Sequence, residues 1–183
     1  MTVVLPVPTL PGALCTLRAL TAADAPAIAR HADDEGVWLN LYEGFPRPYT
    51  LADAEWWCGT GCRLPEAGHV FAIDVDGEAI GCMAVRPDSG WLRCNAEVGY
   101  WIGRAFWKRG IASESLRRVT AWAWEALPEL TRLYAPIFSF NVGSQAVARH
   151  CGYAFEADMK RSAIKDGRVI DRVQYAAHRP EPL

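Results

Sequence analysis

The sequence predicts a mixed α/β fold, one sheet covered by helices, and three observations carry that expectation. Strand-like and helix-like segments follow one another in the order βααβββαβαββ, about seven strands and four helices, which suits a single mixed sheet. Residues 70–85 hold two apolar runs joined by Asp76-Gly77, a favoured two-residue hairpin turn. Residues 96–114, AEVGYWIGRAFWKRGIASE, read as a strand, a turn and the glycine-marked start of a helix.

In chain order, residues 1–12 carry three prolines and read as an irregular lead-in. A first strand is expected over residues 13–19. Thr21 then starts a helix running to about His31 or Ala32, with Asp24 at its third position as in a capping box. Residues 33–50 are aromatic and marked by glycine and proline, with room only for short helical turns. Thr50 and Asp53 repeat the capping pattern for a second helix through about Cys58. The hairpin of residues 70–75 and 78–85 leads to the strand in which Ala96, Val98, Tyr100 and Ile102 share a face at period two. The next helix has Ile111, Leu116, Val119, Trp122 and Ala123 at helical spacing and ends near Leu127-Pro128. Residues 133–138 form another strand, whose Pro136 implies a bulge or an edge. Residues 141–151 are helical, stopped by Gly152, and residues 154–164 and 168–176 close as a hairpin.

Bulk properties bound the function. At 183 residues the expectation is one domain over residues 1–183. Apolar and charged contents of 51% and 22% are those of a soluble globular chain. A formal charge of −2 argues against direct nucleic-acid binding, which rests on a basic surface. No apolar run approaches the ~20 residues of a membrane helix, and the start lacks a basic signal-peptide region, so no membrane partner and a cytoplasmic location are expected. The six cysteines form no C-x-x-C pair and read as small hydrophobes in a reducing compartment. His31, His69, His150 and His178 are scattered without metal spacing, so no metal is expected.

The chemistry concentrates in residues 103–114. Lys108, Arg109 and Gly110 stand at a helix N-terminus, where unpaired N–H groups and the positive end of the dipole suit a phosphate. The alternative for the two cations is a solvated turn. The context is neither a Rossmann unit, which needs G-x-G-x-x-G after a first strand, nor a P-loop, since Gly110 is followed by Ile111-Ala112.

Taken together, several pieces resemble the GNAT superfamily of acyl-CoA-dependent N-acyltransferases, above all its ribosomal-protein N-terminal acetyltransferase branch (RimJ/RimL-like). They are Thr16-Leu17-Arg18-Ala19-Leu20 with Asp24-Ala25, Glu55-Trp56-Trp57, Ala96 to Ile102, Trp107 to Glu114, Asn141-Val142-Gly143-Ser144, Cys151-Gly152-Tyr153 and Asp166-Gly167-Arg168 with Asp171. The resemblance spans nearly the whole chain. It implies a mostly antiparallel sheet of about seven strands, splayed in the middle, with about four helices. It also implies acetyl-CoA as cosubstrate.

Residues Trp107, Lys108, Arg109, Gly110, Ile111, Ala112 and Ser113 would then cradle the coenzyme A pyrophosphate. Trp107 departs from the superfamily's Gln or Arg at that position. Tyr100, Trp101 and Ile102 would pair with the pantetheine; for Trp101, core packing is an equal reading. Asn141 would hold the pantetheine amide, besides serving as a helix N-cap.

The chemistry so implied is attack of a neutral amine on a thioester. An α-amine titrates at ~7.7–8.0, so a modest general base suffices. Glu97 is the candidate base, or else a partner for an arginine. The superfamily's thiolate-protonating tyrosine falls here on Ala148, and Ser144 is its candidate replacement, or else an ordinary N-terminal helix serine. Trp38, Tyr42 and Phe45, with Tyr49, would shape the acceptor site, and Asp33, Asp34, Glu35 and Glu43 could draw in a cationic amine, or else, each taken singly, are solvated surface. The acceptor implied first is a protein N-terminal α-amine. A small-molecule amine, and a non-catalytic acyl-CoA-binding role, stay open. The branch allows a homodimer.

Overall fold

The computed structural model describes residues 7–180. Within them eight strands form one sheet: β1 (Leu10–Pro11), β2 (Thr16–Arg18), β3 (His69–Val75), β4 (Glu78–Pro87), β5 (Asn95–Ile102), β6 (Arg132–Phe138), β7 (Ala154–Lys165) and β8 (Arg168–His178). Their spatial order is β1-β2-β3-β4-β5-β6-β8-β7. All neighbours are antiparallel except β5 and β6, which are parallel. The helices are α1 (Ala25–Ala32), α2 (Glu35–Leu39), α3 (Leu51–Gly59), α4 (Ile111–Ala126) and α5 (Val142–His150).

The strand beyond the expected seven is β1, inside the lead-in read as irregular; residues 1–6 of that lead-in lie outside the described residues. Its proline is tolerated because β1 is an edge strand, paired only with β2. The next strand, β2, is shorter than the expected 13–19. The N–H groups of Ala13 and Leu14 donate instead to the Glu114 carboxylate, at 2.6 and 2.9 Å. The fifth helix, α2, is one of the short turns expected in residues 33–50.

Both capping motifs form. Thr50 Oγ1 accepts from the Asp53 N–H at 3.2 Å, and Asp53 accepts from the Thr50 N–H at 2.8 Å. Asp24 likewise accepts from the Thr21 N–H at 2.8 Å, although there the first turn is a 3₁₀ turn leading into α1.

The sheet carries a core on each face, as alternating strand residues dictate. On one face Phe71, Ile73, Met83, Val85, Val98 and Leu133 meet Leu116, Val119 and Trp122 of α4. On the other, Val70, Ala72, Cys82 and Ala84 meet Ile28 of α1 and Ala54 and Cys58 of α3. Because β3 and β4 lie in mid-sheet between these cores, they read as nearly continuous apolar runs.

Strands β5 and β6 part company early. Asn95, Ala96 and Glu97 pair with Arg132, Leu133 and Tyr134, and no further pairs follow. Strand β4 stays paired to β5 as far as Ile102, and β8 to β6 as far as Phe138. The sheet is thus split by a wedge-shaped gap. Pro136 lies inside it. The Ser139 N–H donates to Asp171 O and the Arg179 N–H to Thr131 O, so odd-numbered residues of β6 face β8. The even-numbered Pro136 turns its nitrogen to the gap, where no ladder bond is lost. The edge implied by this proline is therefore local, within an otherwise interior strand, and the β6–β8 register runs past it without a bulge.

Beyond the gap, β6, β8 and β7 are locked by Glu156, which takes a two-pronged pair from Arg132 and a bond from Gln174 Nε2 at 2.8 Å. The Arg132 guanidinium is the main cause of its carboxyl being lowered to about 2. A depressed carboxyl stabilises the fold fully above its unfolded value near 4.3 and loses that contribution as pH falls toward about 2. Glu156→Gln is therefore expected to flatten the loss of melting temperature between about pH 4 and pH 2. The same acid limb in wild type and variant would contradict this.

Candidate active site

The gap between β5 and β6 opens into two cavities. One, of ≈ 580 Å³, lies toward α4 and is lined by Trp107 to Ser113, Tyr100 to Ile102, Phe140 and the first turn of α5. The other, of ≈ 460 Å³, lies toward α3 and the loop of residues 40–49. They share Asn40, Leu41, Tyr100, Trp101, Asn141 and Ser144, so each opens onto the same central wall.

The larger cavity is built around the start of α4. Gly110 is its N-cap, in the left-handed region at φ 80° and ψ −8°, and Lys108 is also left-handed at φ 61°. Two such turns of backbone so close together bring successive N–H groups round to one side, a concave arrangement suited to anions. The next N–H groups, at Ile111, Ala112 and Ser113, belong to the first turn and have no intrahelical partner.

The one acid of that turn, Glu114, is engaged elsewhere. Burial alone would raise its carboxyl, but the bonds from Ala13, Leu14 and Arg118 outweigh burial and hold it below its ordinary value. Its charge is spent on the chain ahead of β2 and leaves the cradle positive. Trp107 donates its indole N–H to Ile102 O at 2.7 Å and so fixes the loop to the end of β5. Arg109 lies over Phe106, at 5.1 Å from the ring centre. The residues present fit an acyl-coenzyme A: a cradle for the pyrophosphate, and beside it the gap-facing backbone of Tyr100 and the Ile102 N–H, beyond the last β5–β6 pair, for the amide-bearing arm.

At the central wall Asn141 caps α5, its Oδ1 accepting from the Ser144 N–H at 3.0 Å. Ser144 stands in the first turn and is among the residues lining both cavities. Ala148 is buried, so no hydroxyl comes from that position. A hydroxyl does come from Tyr100, whose OH donates to Ser144 O at 3.4 Å. Burial pushes this phenol well above its ordinary value, which keeps the proton on it. The even-numbered place of Tyr100 on β5, on the face toward α5, is what brings its phenol there as well as its backbone.

In the smaller cavity Glu97 pairs with Arg86 at 3.3 Å, both side chains about a third exposed. Arg86 was not singled out in the sequence, since only strand register places it beside Glu97. Tyr42 and Phe45 line this cavity together with Tyr49, Trp56, Trp57 and Trp101. Trp101 therefore both packs against the second core and lines the chamber.

Trp38 lines neither cavity. Its ring receives Lys165 Nζ at 3.6 Å and Arg47 at 4.6 Å from its centre. The four acids expected to draw in a cation are also committed elsewhere. Asp33 accepts from the Tyr49 N–H, Asp34 caps α2, Glu35 pairs with Arg47, and Glu43 accepts from the N–H groups of Asp166 and Gly167 at the β7–β8 turn. Among the described residues no group of His, Cys, Asp or Glu could hold a metal ion, and no helix is long and apolar enough to cross a membrane.

A split sheet, a glycine-marked cradle at one helix and a capped second helix beside the gap define an acyl-coenzyme A transferase fold. Residues 15–154 match the acetyltransferase (GNAT) domain, and the chain belongs to that family of N-acetyltransferases. Among particular proteins, it resembles RimL, the ribosomal L7/L12 alpha-N-protein acetyltransferase solved with coenzyme A, at 23% identity and a TM-score of 0.79 over 93% of this chain and 98% of that one. Mycobacterium smegmatis RimJ, solved with a coenzyme A disulfide, is 26% identical with a TM-score of 0.79, over 90% of this chain and 81% of its own. The uncharacterized N-acetyltransferase YoaA of Bacillus subtilis (strain 168) is 29% identical over 85 residues, 46% of this chain and 48% of that protein. The chain spans about half the length of the curated relatives it matches.

Proposed function

We propose that the chain, acting as one domain in the cytoplasm, moves an acetyl group from acetyl-CoA to a primary amine by direct attack in a ternary complex. A protein N-terminal α-amine is the acceptor. The observation that carries this reading is the pair of cavities meeting at the β5–β6 gap, with an anion cradle in one and Glu97 in the other. The six free cysteines agree with a reducing compartment.

Each residue has a part to play. Glu97, through a water, receives the proton that the α-amine must shed near neutral pH. Arg86 holds that carboxylate at the edge of the chamber. The even-numbered N–H groups of β5, at Tyr100 and Ile102, face the gap and can donate to the thioester oxygen as its charge grows. Ser144, beside the Tyr100 phenol, is the hydroxyl offered to the leaving thiolate in place of the residue missing at Ala148. The N-terminal acceptor draws on the RimL likeness. A small-molecule amine is the second reading, favoured by an acceptor chamber of ≈ 460 Å³, well within the usual range for small ligands.

The test is thiol release over a panel of peptides and small amines, with acetyl-CoA set against longer acyl-CoAs and acetyl-CoA affinity measured by calorimetry. Turnover with acetyl-CoA and a peptide amine is the expected result. Tight acetyl-CoA binding with no thiol released by any amine would overturn the enzyme reading in favour of a non-catalytic acyl-CoA-binding protein.

A further inference from the structure

We infer that the acceptor chamber selects an α-amine whose own residue carries a large apolar side chain, aromatic above all. This rests on the acetyltransferase reading and names the acceptor at that same site.

The floor of the chamber is set by strand register. Cys82 faces Trp101, Ala84 faces Gly99 and Arg86 faces Glu97 across β4 and β5, all on one side of the sheet. The middle pair offers a single methyl group. The Arg86 guanidinium reaches over Gly99, 3.1 Å from where a Cβ would stand, and the hollow left beyond it, over Ala84, is where the residue bearing the attacked amine would lie. The hollow is walled by rings. Phe45 stacks on Tyr49 at 4.8 Å and 23°, and meets Trp101 edge-on at 6.2 Å. Tyr42 adds its edge to Phe45 at 6.1 Å.

Two rings of this lining are left wet. Tyr42 is 63% exposed and Trp56 is 56% exposed, yet both line the concave wall. Solvated aromatic rings around a cavity present apolar area for a ligand to cover.

The charges exclude the other classes of side chain. Two carboxylates line the chamber. Glu97 is opposite Arg86, and Asp53 is held by the Thr50 cap. The remaining loop acids are bonded elsewhere, so a cationic side chain meets only these two carboxylates, each already hydrogen-bonded. An anionic one finds Arg86 already paired. Either would give up water for a group whose bonds are partly taken. Glycine, alanine or serine would leave the hollow unfilled. The same chemistry is offered by a peptide N-terminus and by a free aromatic amino acid, and the experiment separates them.

The experiment measures thiol release from acetyl-CoA with peptides that differ only in their first residue (Phe, Trp, Leu, Ala, Ser, Asp or Lys), and with free phenylalanine and tryptophan. The expected result is a kcat/KM for Phe, Trp and Leu peptides about tenfold or more above Ala and Ser, the scale that apolar pockets reach. Peptides far better than the free amino acids identify an N-terminus as the source, and the reverse identifies a small molecule; either outcome supports the apolar preference.

Two variants locate the preference. Tyr42→Ala, at an exposed position, should narrow the ratio of Phe to Ala peptide kcat/KM about tenfold, by lowering the Phe peptide more than the Ala peptide. Ala84→Leu should bring the Phe peptide down to the level of the Ala peptide, with acetyl-CoA affinity unchanged as evidence of an intact fold. Equal rates for all first residues, a preference for Ala or Ser, or a uniform loss in Tyr42→Ala would overturn the inference and leave the acetyltransferase reading standing. Acetyl-CoA binding without turnover of any amine would overturn both.

Discussion

Replacing Glu97 by glutamine is expected to lower kcat/KM by about 10²–10⁴-fold, the range that a general base contributes. The amide keeps the shape and can still accept from Arg86, so the loop, the chamber and the fold should persist. Acetyl-CoA affinity and melting temperature should therefore match wild type. What glutamine cannot do is take a proton. The defect should accordingly narrow as pH rises past about 8, where an α-amine is already largely neutral. Unchanged turnover at pH 7 would reduce Glu97 to a partner for Arg86.

Gly110→Val should raise the dissociation constant for acetyl-CoA by about 5- to 150-fold. The left-handed backbone at this N-cap costs a non-glycine residue about 1–3 kcal/mol, most for a β-branched one. A Cβ here would also come within 3.2 Å of Leu14 Cδ1. Relief of that strain rotates the peptide groups on either side, and these are the groups that converge on the anion. Gly152→Ala is the control. Its φ is 81°, and no atom lies within 4 Å of the added Cβ. It should lower stability without touching acetyl-CoA affinity. Equal loss of affinity in both variants would mean that Gly110 acts on the fold as a whole and not on the cradle.

What was legible in the sequence is what lies close together along it. The cradle is a run of seven residues, and its glycine and cations coincide with a helix start, so periodicity and local chemistry agreed. The capping pairs Thr21/Asp24 and Thr50/Asp53 are local too. The short β1 was not legible because its proline argues against a strand unless the position is known to be an edge, and edges are a property of the whole sheet. The gap was implied by resemblance alone. Its physical trace, Pro136 facing away from β8, needs the register of β6 against β8 to be read.

The chamber floor was hidden for the same reason. Nothing local connects Ala84 to Gly99 or Arg86 to Glu97; only the β4–β5 ladder does. The partners of the acids of residues 33–43 were not legible because a carboxylate in a loop looks the same whether it meets solvent, a ligand or a backbone N–H. In the fold each of the four is already engaged.

The bond between Glu43 and the β7–β8 turn spans 123 residues of chain. It ties the loop of residues 40–49 to the tip of a hairpin far along the chain. Until residues 166 and 167 emerge and fold back, Tyr42 and Phe45 lack this anchor, although the cradle of residues 107–113 and its helix are already present. In a chain folding from its N-terminus, order in the loop around Tyr42 and Phe45 would thus arrive after the start of α4 has formed.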